Sequence, residues 1–293
     1  MKTKARPVVA ALAIVIQSAV CLSSMIVDSA FGDFLGSDSL AAPNSQWSYI
    51  HDGGGEFYSQ NSRLEFVVST PTTANSATLF WEANRGAYNR NWYLQVDTDL
   101  AMVPLVDGSA TSLGLSVGNA SDGTLRQIAG IYSERLQGNG MYYPLIAGYT
   151  DWGFFKEVKC TSRFVTLRLH FDSKEKTLTG SWNPGTGWRY LPPQSIARWG
   201  MTDKDQFYAF LYGSNLGPSA DNLVLASGNA HFRNFKTGPA KPDIGVEQPA
   251  KVDLTDGKGR TDFGKASTGI GRVKKTFVLR NTGTAALTGL KIT

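Results

Sequence analysis

Asp97 and Asp99 stand two residues apart in Trp92-Tyr93-Leu94-Gln95-Val96-Asp97-Thr98-Asp99, so an extended backbone puts both carboxylates on one face. Paired carboxyls about 5 Å apart are what a retaining glycosidase uses, one as nucleophile and one as acid. The E-x-D-x-E pattern of paired acids on one strand face is absent: Glu65 is followed by Phe66-Val67-Val68-Ser69 and Glu82 by Ala83-Asn84-Arg85-Gly86, so Asp97 and Asp99 are the closest approach to it. A polar strand end is the plainer account of Asp97 and Asp99, although acids from separate strands can still converge. Serine-hydrolase chemistry needs a nucleophile beside a histidine and an acid. The chain has no G-x-S-x-G and only His51, His170 and His231. No His/Cys/Asp cluster has zinc-ligand spacing. Calcium, which takes oxygen ligands, has weak candidates in Asp97, Asp99 and Asp151, with Asp203 and Asp205 a further pair. Solvated turns explain these acids more simply, and no cofactor motif appears.

A second set suits recognition. Sugars stack their apolar ring faces on aromatic rings while polar groups fix orientation. By strand parity Tyr93, Gln95, Arg168, His170, Tyr208 and Tyr212 lie opposite the apolar alternates of their segments. Trp81, Trp152 and Trp182 add large rings near turns or strand ends. Trp81 and the six parity residues are the candidate ligand-binding set. Sandwiches also bury aromatics by default, and parity does not say which outer face a residue joins.

These side chains need strands to position them. Leu64, Phe66 and Val68 alternate with Arg63, Glu65 and Val67. Val165, Leu167, Leu169 and Phe171 share one face of their segment, and Phe164, Thr166, Arg168 and His170 the other. Such a period of two marks antiparallel strands with one face in a core. Turn clusters separate them at His51–Gly55, Asn119–Gly123, Gly138-Asn139-Gly140, Asn183-Pro184-Gly185 and Ser214–Pro218. Asp122–Ile131 is the one weak helical candidate. An all-β chain with two packed sheets, a sandwich or jelly roll, is the expected fold.

The chain's 293 residues suit two domains, or one large β domain with an appendage. Residues 1–30 read as an export signal: Lys2, Lys4 and Arg6 precede the apolar run Val8–Val20, and small and polar residues follow. The run is too short to span a bilayer comfortably, so no transmembrane span is expected in the mature chain. Sec-route export to the cell surface or medium follows. Cleavage beyond Cys21 would leave Cys160 alone, a buried, inert thiol at a strand start. The formal charge of +5 resolves into +2 for residues 1–30, −2 for 31–240 and +5 for 241–293. The main body has no basic stripe to follow a phosphate backbone, so nucleic acid is excluded as a partner. All 7 tryptophans and 11 tyrosines lie between Trp47 and Tyr212, and Lys236–Pro242 is rich in Pro and Gly. A domain break belongs there. Leu287–Thr293 reads as a strand that stops, so further chain is expected beyond it.

At this point the residues carry a resemblance. Gln46-Trp47-Ser48-Tyr49, the Gly53–Gly55 turn and Asn61-Ser62-Arg63-Leu64-Glu65-Phe66 resemble the opening of bacterial concanavalin A-like (laminin G-like) jelly-roll domains, with Ser62 where glycine is commoner. Tyr88–Asp97, Val165–Leu169 with Leu178–Trp182, and Ser227–Phe235 are similar to later strands of that family. In the last of these Arg233 replaces the acid of a common D-N-F. In the tail, Asp262-Phe263-Gly264, Phe277–Ala285 and Leu287–Leu290 are similar to the choice-of-anchor D repeat, an Ig-like sandwich related to Hydin-type domains. With the export signal over 1–30 and the linker over 238–250 read from the residues themselves, the resemblance implies a concanavalin A-like domain over 31–237. The start of an incomplete immunoglobulin-like β-sandwich would occupy 251–293. It implies a non-catalytic surface or secreted binding or adhesion protein whose partner is a polysaccharide or cell-envelope glycan, with calcium as the cation such domains often hold. An extracellular glycan-active hydrolase with acids from separate strands, or a passive structural spacer, are the alternatives.

Overall fold

The computed structural model describes residue 34 and residues 36–42, 46–52, 54–101, 106–122, 127–150, 153–219, 223–240, 244–247 and 276–281. The expected export signal and Asp151 and Trp152 lie outside the described residues. The chain divides into two compact units, residues 1–239 and 240–293.

In the first unit the strands are β1 (Gly36–Asp38), β2 (Trp47–Asp52), β3 (Gly55–Gln60), β4 (Arg63–Val68), β5 (Ala74–Ala87), β6 (Trp92–Leu100), β7 (Ala110–Asn119) and β8 (Ile128–Gly138). They continue as β9 (Met141–Thr150), β10 (Gly153–Lys159), β11 (Phe164–Asp172), β12 (Thr177–Asn183), β13 (Arg189–Tyr190), β14 (Gln194–Ser195), β15 (Gln206–Leu216) and β16 (Ala230–Pro239). A nine-stranded sheet runs β13-β12-β11-β6-β16-β4-β3, with β1 on β16 and β14 on β12. A seven-stranded sheet runs β10-β9-β8-β7-β15-β5-β2. All the pairings are antiparallel. The fold is the all-β jelly-roll sandwich that the alternation predicts.

The inner face of each sheet carries the apolar alternates: Trp92, Leu94 and Val96 of β6, Val165, Leu167, Leu169 and Phe171 of β11, and Leu113, Leu115 and Val117 of β7 are all buried in one cluster. Each such side chain contributes roughly 1.5–3 kcal/mol by leaving water. Turns obey the chain's chemistry. Asn139 and Gly140 take φ 53° and 70° between β8 and β9, and Asn61 and Ser62 take φ 53° and 58° between β3 and β4. Two central residues with positive φ are what a right-twisted two-residue hairpin needs.

Three expectations are corrected. The helical candidate Asp122–Ile131 is not a helix where described, because β8 begins at Ile128. The linker expected from residue 238 is strand at first: Gly238 and Pro239 close β16 opposite Tyr93 and Trp92. A proline can end a strand in this way because its missing N–H removes only one ladder bond. Cys160 is buried, but it follows β10 rather than opening a strand. In the second unit β17 (Ile244–Glu247) pairs antiparallel with β18 (Val278–Asn281). Residues 251–275 and 282–293 of the expected Ig-like segment lie outside the described residues.

The seven-stranded sheet buries its outer face as well. Phe80, Tyr132, Leu145, Tyr149, Tyr208, Phe210 and Tyr212 form a second apolar cluster there. Glycines make room for it: a Cβ on Gly114 would sit 2.2 Å from the Tyr132 ring, and one on Gly118 2.7 Å from the Tyr208 ring. Tyr132 and Tyr208 therefore lie directly on the backbone of β7.

Candidate functional site

The outer face of the nine-stranded sheet carries polar side chains in cross-strand rows. One row joins Asn183 of β12, Thr166 of β11, Asp97 of β6 and Arg233 of β16. The next joins Phe164, Asp99 and His231. A cavity of about 300 Å³ opens over these two rows, walled on one side by the turn Asn183-Pro184-Gly185. That volume is at the lower end of ordinary small-ligand sites.

A bulge in β16 builds one wall. The register of β16 on β6 shifts between Arg233 and Lys236, and Asn234 takes φ 54°, a conformation that asparagine tolerates better than most residues. The extra residue leaves Arg233 and Asn234 both exposed while Phe235 turns into the core. Bulges commonly re-aim side chains in this way.

The carboxylates are already engaged. Asp97 Oδ1 accepts from Thr166 Oγ1 at 2.7 Å, and Oδ2 from Asn234 Nδ2 at 2.8 Å. Asp99 is held by Arg163 through Nε and, at 3.1 Å, through a second guanidinium nitrogen, with His231 Nε2 3.2 Å from Oδ2. Burial pushes the His231 imidazole down to about 4 against the pull of Asp99. The apolar edge is Phe164, a residue 63% exposed. Farther along the same face the Arg168 guanidinium lies 3.7 Å from the Trp188 ring centroid and 5.8 Å from that of Tyr93. Its Nε and a second nitrogen donate to Gln95 Oε1 at 3.1 and 2.8 Å.

The residues singled out in the sequence do not form one surface. Tyr93, Gln95, Arg168 and His170 share the outer face of the nine-stranded sheet, with Asp97 and Asp99. His170 is buried there, and its imidazole is pushed down to about 4, mainly by burial and then by the Arg168 cation. Tyr208 and Tyr212 sit on the other sheet, 6% and 4% exposed within the second apolar cluster. Trp81 lies between the sheets, 1% exposed, packed on Trp47 and Phe235. Its indole has no face left for a ligand. Parity gave the correct face of each strand but could not say which sheet the strand belongs to.

Asn183, Asn234, Arg233 and Phe164 were not in the sequence set, although they surround the cavity. The departure from D-N-F at Arg233-Asn234-Phe235 was the available signal for two of them. Calcium finds little at Asp97 and Asp99, whose oxygens face protein donors. Among the described residues no three His, Cys, Asp or Glu side chains converge as metal ligands. Glu134 is the other acid of note: it is 1% exposed on the outer face of the seven-stranded sheet and accepts from Tyr149 and Ser112 hydroxyls. Burial pushes its carboxyl up to about 7 against those hydrogen bonds. Among the described residues no helix is long and apolar enough to cross a membrane.

No protein-family model matches the chain, and no curated protein is significantly similar to it. Solved structures similar to it include lectin II from Ulex europaeus, at 11% identity and TM-score 0.49 over 71% of this chain and 100% of that one. The Emp46p carbohydrate recognition domain in its potassium-bound form is 14% identical, with TM-score 0.44 over 68% of this chain and 94% of that one. A Bacteroides ovatus protein described as xyloglucan PUL GH43B is 12% identical, with TM-score 0.46 over 71% of this chain and 40% of that one.

Proposed function

We propose that this is an exported surface or secreted protein whose jelly-roll unit binds a glycan or cell-envelope polymer without cleaving it. Residues 1–30 act as the Sec signal, and the tail after residue 250 begins a choice-of-anchor D-type Ig-like module that spaces the binding unit from its anchorage. The observation that carries the reading is the cavity on the nine-stranded sheet, where polar side chains from four strands meet the exposed Phe164 ring. A polar row beside one open aromatic face is the chemistry that grips a pyranose.

The same geometry supports binding over hydrolysis. A glycosidase needs one carboxyl that keeps a proton to give to the leaving group. Asp97 and Asp99 both line the cavity, yet each already accepts hydrogen bonds on both oxygens, so Thr166, Asn234 and Arg163 hold the carboxylates that a ligand would need to reach.

The test is affinity electrophoresis and calorimetry of the full chain against a panel of neutral and acidic polysaccharides and peptidoglycan, with and without calcium, while reducing-sugar release is followed. Binding without release is expected, weakened roughly tenfold by Phe164→Ala through lost ring stacking. Release of sugar from any polymer favours the hydrolase, and no binding across the panel leaves the spacer.

A further inference from the structure

Building on the glycan-binding reading, we infer that the ligand is a linear acidic glycan whose carboxylates are read by Arg233, Lys236 and the amide of Asn183. Around the cavity the protein's own donors occupy the acceptors. Asp97 and Asp99 accept on both oxygens, and Gln95 Oε1 accepts twice from Arg168. Asn183 Oδ1 accepts the N–H groups of Gly185 and Gly187 at 2.8 and 3.1 Å. The donors are left over. Among the described residues the Asn183 amide nitrogen and the Arg233 and Lys236 head groups have neither a hydrogen-bond nor an ion-pair partner. A site with donors to offer and its acceptors engaged matches a ligand rich in acceptors.

Charge points the same way. Asp99 is matched by Arg163, which leaves Asp97 as the one carboxylate lining the cavity without a cation, against two cations on β16, Arg233 and Lys236. Their places follow the register: Arg233 stands opposite Asp97 and Lys236 opposite Gln95. Those partners are two residues apart on β6, about 7 Å along the strand. Bidentate guanidinium and point-charge ammonium groups at such an interval suit carboxylates carried on successive units of a chain. The track is also longer than one sugar ring. Phe164 and the Arg168 position beneath Trp188 lie four residues apart on β11, about 13 Å.

The experiment compares the full chain on polygalacturonate, alginate, fully methyl-esterified polygalacturonate and the galacturonate monomer, at low and high salt. The expected result is at least roughly tenfold tighter binding to the acidic polymers than to the ester at low salt, narrowing as salt screens the charges. Arg233→Ala/Lys236→Ala removes that preference, and both side chains are exposed, so a native thermal midpoint accompanies the loss. Equal affinity for acid and ester overturns the inference, as does a monomer bound as tightly as the polymer. Binding of neutral panel glycans but of neither acidic polymer also overturns it while leaving the glycan-binding reading in place. No binding to any glycan overturns both.

Discussion

Asn234 donates its side-chain amide to Asp97 Oδ2 at 2.8 Å from the one residue of β16 whose backbone has positive φ, 54°. The bulge and the cavity are therefore one construction: the conformation that inserts an extra residue is the one that brings the amide to the carboxylate. Asn234→Ala loses both the hydrogen bond and the residue type that tolerates this backbone, and should lower stability by about 1–2 kcal/mol. Asn234→Gly keeps the backbone and loses only the amide, so its loss should be smaller. Urea denaturation of the two variants checks the order. A glycine variant less stable than the alanine variant would break the link between bulge and φ.

The hairpin between β3 and β4 carries a residue at odds with its turn. Ser62 holds φ 58° beside Asn61 at 53°, where a two-residue turn of this hand prefers Asn-Gly. Ser62→Gly should raise stability by about 1 kcal/mol, because relief of strain exceeds the added freedom of the unfolded chain. The shift appears as a higher urea midpoint with an unchanged slope.

Much of this architecture is legible without coordinates, and the reason is local. β6 and β11 alternate cleanly because one face is core and the other polar, and their Trp92–Asp99 and Phe164–Phe171 segments pair residue for residue. β8 is harder. It is buried from Ile128 to Leu136 on both faces, so Ile128-Ala129-Gly130-Ile131-Tyr132 shows no polar alternate, and its N-terminal end reads as weak helix. The site suffers from a different gap. Strand order decides that Tyr93 and Tyr212 face opposite sides of the sandwich, and strand order is set by long-range pairing that no local spacing records. Asn234 was hidden because a bulge changes parity within a single strand.

Gly114 sits where a side chain has no room. A Cβ there would meet the Tyr132 ring at 2.2 Å, and that ring also packs edge-on to Tyr149 and Tyr212. Gly114→Ala should destabilise by about 1–3 kcal/mol or more, since the ring has tyrosines on two sides to resist its movement. Gly140→Ala provides a contrast: no atom lies within 4 Å of its ideal Cβ, and only the backbone penalty of φ 70° remains. Thermal melts of the pair separate crowding from conformational strain, and the Gly114 variant should melt lower.

Acid tests three buried groups at once, and their signs oppose. His170 and His231 are pushed down to about 4 from an ordinary 6.5, so between those values the unfolded chain binds protons that the folded chain refuses. Stability from them is whole above 6.5 and is lost as pH falls toward 4. Glu134 is pushed up to about 7 from 4.5, so the folded chain keeps a proton that the unfolded chain gives up. Its contribution is present below 4.5 and is lost as pH rises toward 7. Between 4.5 and 6.5 two imidazoles work against one carboxyl, and the wild-type chain should gain stability with pH only moderately. Glu134→Gln holds the neutral form permanently and keeps an oxygen for the Tyr149 and Ser112 hydroxyls. The rise with pH in that window should then steepen by up to about 1.4 kcal/mol per pH unit. Urea midpoints measured from pH 4.5 to 7.5 for both proteins decide it. Parallel curves would mean that Glu134 ionises in the folded chain as readily as in the unfolded one, and that its burial beside Tyr149 exerts no pull on the proton.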